Sequence, residues 1–226
     1  MSYKKLKNFI KTTIQTKTPE NALKDLKKYK FKQLTGPVKG LLFDLDPLIS
    51  FRAAELMGLI SKEAAKENIE PVRDIMRQLM WNLNEESGGI GWGSVEAMAE
   101  TASQNKKIFD EFYKIIISYA DPESSSFLDH EDLHPGAAWA VGRLLKQEPE
   151  KGDYANYVIK ILLQHKDPKV KGNALWAASN MKNISDLKPI VKNLLQNNEK
   201  FILYEEGDIN TISISKMAEN VLKKQI

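Results

Sequence analysis

One six-residue cassette recurs along this chain and constrains its fold more than any other feature. Each copy stays close to the template small, small, any, small, large apolar, small. The copies are Ala53-Ala54-Glu55-Leu56-Met57-Gly58, Ser94-Val95-Glu96-Ala97-Met98-Ala99, Ala137-Ala138-Trp139-Ala140-Val141-Gly142 and Ala174-Leu175-Trp176-Ala177-Ala178-Ser179. A degraded fifth starts near Ser215, around Met217 and Ala218. They begin at 53, 94, 137, 174 and 215, at intervals of 41, 43, 37 and 41 residues. A period of about 40 residues holds two helices and a loop, a unit that cannot bury its apolar face alone and so stacks on its neighbours. The expectation is an all-α protein: a right-handed α-α solenoid of about five helix pairs behind an N-terminal helical cap.

Apolar spacing then sets the boundaries within a single domain of residues 1–226. Tyr3, Leu6, Phe9, Ile10 and Ile14 form one helical stripe, and Thr18-Pro19-Glu20 opens a second helix. Residues 1–35 read as the cap, and the repeats as 36–61, 69–103, 105–146, 153–183 and 187–224. First helices are expected near 37–45, 70–83, 105–119, 153–165 and 187–196. Pro37, Pro71 and Pro189 are expected in first turns, where a missing N–H is harmless. The second helix of each pair carries the cassette, whose small residues let neighbouring helices approach closely. No segment shows the alternation of a sheet.

Composition bounds the chemistry. The 226 residues are 42% hydrophobic and 28% charged, enough for a sizeable core. With no cysteine, thiol nucleophiles, disulfides and cysteine-held metal clusters are excluded. Lysines interrupt the N-terminus and no run approaches the roughly 20 apolar residues of a membrane span, so the reading is cytoplasmic, with no membrane partner. Charge is distributed unevenly. Residues 1–40 hold 11 Lys against Glu20 and Asp25, leaving +9 there and −6 over the rest. Such a face serves solubility, or meets a nucleic acid or an acidic partner.

The repeats also carry Asp-Pro steps ahead of their small residues: Asp46-Pro47 before Arg52-Ala53-Ala54, and Asp167-Pro168 before Gly172-Asn173-Ala174. These units resemble HEAT repeats, in particular the HEAT-like class named after phycobilisome lyases, over about residues 36–222. The segment from Trp81 to Gly93, with its Gly88-Gly89-Ile90-Gly91-Trp92-Gly93 stretch, looks like one found in uncharacterised HEAT-like proteins of anaerobic bacteria. The resemblance implies a fold. Its members include scaffolds, chromophore lyases and DNA glycosylases, so it transfers no catalytic residue.

Four constellations are candidates for function. His130-Glu131-Asp132-Leu133-His134 matches H-E-x-x-H formally, but Pro135 disfavours a helix there and the repeat register places all five residues in a loop. A zinc protease is therefore not expected, and His130 and His134 remain weak metal candidates. The Gly88–Gly93 segment has the wrong spacing for a dinucleotide fingerprint. It reads as a loop around Trp92 with Glu85 and Glu86 at its entrance. Loop carboxylates such as Asp44, Asp46, Asp129 and Asp132 predict an acidic edge. Finally, the third cassette position runs Glu55, Glu96, Trp139, Trp176, Met217. On a concave face, Trp139 and Trp176, with Arg143 and Asn180 one turn on and Glu96 a repeat earlier, would form an aromatic cleft; the alternative is that both rings fill space between helix layers.

These observations favour a non-catalytic scaffold that binds a protein or peptide through its concave helix face and the long loops of repeats 2 and 3, without a cofactor. A second reading is nucleic-acid binding, glycosylase-like, through the basic N-terminus and the Trp cleft. A third, carried only by the resemblance, is a pigment or cofactor lyase.

Overall fold

The computed structural model describes residues 1–84 and 90–224, and it is an α-solenoid fold. Its helices are α1 (Tyr3–Thr16), α2 (Pro19–Leu26), α3 (Phe31–Lys39), α4 (Pro47–Ala65), α5 (Glu70–Leu83), α6 (Ser94–Ser103) and α7 (Lys106–Ser118). They continue with α8 (His134–Gln147), α9 (Gly152–Leu162), α10 (Pro168–Ser179), α11 (Lys188–Asn193) and α12 (Ile214–Lys223). The complete cassettes fall in α4, α6, α8 and α10, and the degraded copy in α12.

Asp-Pro starts two of these helices for a local reason. The Asp46 carboxylate accepts from the Leu48 N–H at 3.0 Å, and Asp167 accepts from Lys169 at 2.8 Å. Each aspartate is an N-cap, and the proline after it lacks only an N–H that would have no partner in the helix. Pro71 and Pro189 also sit in first turns, of α5 and α11. Pro37 does not: α3 begins at Phe31, so Pro37 lies inside it. Gln33 explains the earlier start, because its Oε1 accepts from the Lys30 N–H at 2.9 Å and closes the helix opening.

The chain packs as two compact units. The first comprises residues 1–113 with 204–208, and the second residues 114–203 with the chain from Ile209 onward. In the first, α4 packs along α6 and also meets α2 and α3. Gly58 makes the α4–α6 approach possible, since a Cβ there would lie 2.8 Å from the backbone C and O of Glu100. In the second unit α8 packs along α10, and α10 meets α12. Gly142 occupies the corresponding cassette position, and its missing Cβ would fall 2.3 Å from Cε3 of Trp176. The Trp176 ring in turn stacks on Trp139, with centroids 5.7 Å apart and planes 13° from parallel.

A two-stranded hairpin, β1 (Lys200–Glu205) and β2 (Asp208–Ser213), departs from the expected all-helical last repeat. Its turn is Glu206-Gly207, with φ of 54° and 78°. Two successive positive φ values match the right-handed twist of paired strands. Phe201 of β1 lies on α10 over Gly172, where an added Cβ would stand 2.3 Å from the ring.

Gly142→Leu and Gly172→Leu should each lower the urea midpoint, by about 1–3 kcal/mol in unfolding free energy, because each forces a side chain into an occupied ring position. An unchanged midpoint in either variant would show that the ring moves aside at no cost.

Candidate functional site

The residues singled out by sequence separate into buried and exposed groups. Trp139 and Trp176 are 1% and 2% exposed, which corrects the expectation of an aromatic cleft: the stacked rings fill the α8–α10 interface. Arg143, one turn on, is half-buried in α8. Asn180 is committed to the backbone, its Nδ2 donating to Trp176 O at 3.1 Å and Gly142 O at 3.3 Å as it ends α10. Glu96 lies in α6 of the first unit, so it belongs to a different packing unit from the tryptophan pair. Glu85 and Glu86 fall outside the described residues.

The histidine motif is also resolved into separate roles. Glu131–Leu133 form a short 3-10 turn, and His134 is not in a loop but is the first residue of α8. His134 is buried, and its Nε2 bonds Leu128 O at 2.7 Å. Its ring meets Phe127 at 4.7 Å and His165 at 5.8 Å. His130 is exposed and sits 3.8 Å from the Asp132 carboxylate. Among the described residues no group of three His, Asp or Glu is arranged to hold a metal ion.

The first unit exposes four large apolar side chains close together in the fold. Leu45 is 99% exposed, Trp81 72%, Phe43 43% and Trp92 38%. Sequence reasoning singled out Trp92 alone of these four. They come from three neighbouring backbone segments: the α3–α4 turn, the end of α5, and the loop before α6. Two glycines join those segments. Gly93, at φ 69°, sits where a Cβ would lie 2.9 Å from Leu42, and Gly91, at φ 53°, where it would lie 2.7 Å from Asn82 O. No L-residue takes both the conformation and the contact without strain. Ser50 Oγ donates to Leu42 O at 2.8 Å and fixes the turn from the other side.

The first unit also holds buried carboxyls that the sequence did not reveal as a cluster. Tyr204 Oη donates to Glu55 Oε2, and the Tyr204 ring stacks on Phe51 at 4.9 Å. Burial pushes Glu55 up to about 8, helped by the nearby Glu100 charge and by a hydrogen bond to Glu20, and opposed by the Tyr204 bond. Two carboxyls can share a hydrogen bond only if one carries a proton, so the Glu20 contact favours the protonated form of Glu55. Burial also raises Glu96 to about 7; its Oε2 is buried with no hydrogen-bond partner among the described residues. Arg52 closes the cluster, with Nε on Gly207 O at 2.7 Å and Nη1 on Ile14 O at 2.7 Å. Glu55, Arg52 and Tyr204 are all buried, and together they tie the hairpin turn to α4.

Comparison with known proteins bears on the fold. A designed armadillo repeat protein solved in complex with the peptide (KR)4 aligns over 96% of this chain and 98% of its own, at TM-score 0.53 and 16% identity. Another designed armadillo repeat protein aligns over 99% of this chain and 94% of its own, at TM-score 0.54 and 15% identity. An uncharacterized protein of Archaeoglobus fulgidus is 29% identical over 120 residues, 53% of this chain and 57% of that protein. The chain therefore matches a little over half the length of that relative. No protein-family model matches the chain. Among the described residues no helix is long and apolar enough to cross a membrane.

The raised carboxyls predict a pH dependence of definite sign. A carboxyl held above its unfolded value stabilises most below that value, near 4.5, and loses the contribution as pH rises through 7 for Glu96 and 8 for Glu55. Denaturant titrations should show a midpoint falling between about pH 4.5 and 8 and level above, with a shallower fall in Glu55→Gln. An identical pH profile in parent and variant would remove Glu55 as the source. Tyr204→Phe should cost about 1–3 kcal/mol in the same titrations, by leaving a buried carboxyl without its donor.

Proposed function

We propose that this chain is a non-catalytic repeat scaffold that binds a protein or peptide segment at the loop edge of its first unit. The observation that carries the reading is the exposure of Trp81, Leu45, Phe43 and Trp92 on segments that come into close contact at Gly91 and Gly93. Large side chains left in water cost free energy, and a partner that covers them recovers it at about 25 cal/mol per Å². Aromatic anchors on a fixed backbone lose little entropy when a partner docks, which is why tryptophan dominates binding hot spots. Of the two surfaces suggested by the sequence, this reading keeps the one around Trp92 and sets aside Trp139 and Trp176, whose rings are buried.

Two further lines support the reading. The solenoid architecture is shared with a designed armadillo repeat protein that holds the peptide (KR)4, and with designs made for modular peptide recognition that align at TM-score 0.50 and 16% identity. The cassette and its Asp-Pro helix starts support placement in the HEAT-like class of repeats, with no cofactor required. A cytoplasmic location fits the absence of cysteine.

A peptide library probed with the labelled protein tests the reading. The expected result is a binder whose Kd rises at least tenfold, about 1.4 kcal/mol, in Trp81→Ala and in Leu45→Ala. Both positions are exposed, so circular dichroism should be unchanged. Binding that is indifferent to both substitutions would discard this edge as the site.

A further inference from the structure

We propose that the basic end of the first unit binds single-stranded nucleic acid through its phosphate backbone. Six exposed lysines meet there: Lys4 and Lys5 at the start of α1, Lys27 and Lys28 in the turn after α2, and Lys30 and Lys32 around the start of α3. Their segments are in contact. Tyr29 Oη reaches Met1 Sδ at 3.8 Å, and the Tyr29 and Phe9 rings lie 6.5 Å apart. Lys28 Nζ stands 5.6 Å from the Phe9 ring and 5.4 Å from the Tyr29 ring.

The two acids of residues 1–40 are engaged elsewhere: Asp25 pairs with Lys17 at 2.6 Å, and Glu20 bonds Glu55. None of the six lysines forms an ion pair among the described residues. Six uncompensated like charges repel one another, and a polyanion removes that repulsion while releasing its own counterions.

The structure discriminates among polyanions. A bilayer takes an amphipathic helix by its apolar face, but the apolar residues of α1, Leu6, Ile10 and Ile14, are buried inside the unit. An acidic protein surface is met most specifically by arginine forks, and residues 1–40 contain no arginine. Lysine point charges interleaved with rings, here the exposed Tyr3 and the half-buried Phe9 and Tyr29, match a strand of phosphates with unstacked bases.

Fluorescence anisotropy of a labelled 12-nucleotide oligouridylate, titrated with the whole chain at 50 mM salt, tests this. Four phosphate contacts predict a log–log salt slope of about −3, or roughly 50-fold weaker binding at 200 mM. A Lys27→Gln, Lys28→Gln, Lys30→Gln variant should lose at least tenfold at 50 mM salt, with an unchanged circular dichroism spectrum. Trp81→Ala should bind the oligonucleotide as the parent does, which separates this surface from the apolar edge. The proposal fails if anisotropy does not change at 50 mM salt, or if the triple variant binds as tightly as the parent. It also fails if polyglutamate or phosphatidylserine vesicles bind more tightly than the oligonucleotide.

Discussion

Everything in this fold depends on how closely successive cassette helices approach. The approach is set at one position, the last of each cassette, where Gly58 lies under the Glu100 backbone and Gly142 under the Trp176 ring. Steric contact there fixes the spacing of α4 on α6 and of α8 on α10. Apolar side chains at the neighbouring positions then fill what remains, and Ala53, Ala54, Leu56, Met57, Ala137, Ala138, Ala140 and Val141 are all fully buried. The repeat is thus conserved along the chain as a distance rather than as a set of residues. Its third position, free of that constraint, carries the differences: a carboxyl in α4 and α6, an indole in α8 and α10.

That division explains how much of the molecule was legible. Small residues at a period of about 40 can be read directly, because close packing admits few alternatives. The Asp46-Pro47 and Asp167-Pro168 steps stood out too, but their role as helix starts came from the structure, where each aspartate caps its helix. The hairpin was harder to see. Phe201, Leu203 and Tyr204 are buried while Lys200 and Ile202 are exposed, so β1 alternates only until Leu203 and Tyr204 break the pattern. The Glu206-Gly207 turn was the available signal, and its meaning depended on recognising strands on both sides.

Site residues were less legible than the fold. An indole at the third cassette position reads equally well as a cleft or as packing, and only the partner ring decides between them. Trp139 has that partner in Trp176; Trp81 has no buried place on α5, whose inward face is already taken by Val72, Ile75, Met76 and Leu79. The burial of Glu55 was invisible for a related reason. Its hydroxyl partner, Tyr204, lies 149 residues away and comes from an element that periodicity did not anticipate.

The hairpin turn has a consequence for how the chain is made. The first unit takes residues 204–208 as its own, and Arg52 bonds a carbonyl 155 residues downstream. A ribosome adding about 5–20 residues per second releases that turn roughly 5–20 s after Tyr113. Throughout that interval Arg52 Nε lacks its Gly207 acceptor and Glu55 its Tyr204 donor. The helices of the first unit therefore wait, incomplete, for a stretch of chain made 155 residues after Arg52, and a product stalled before it would carry that gap.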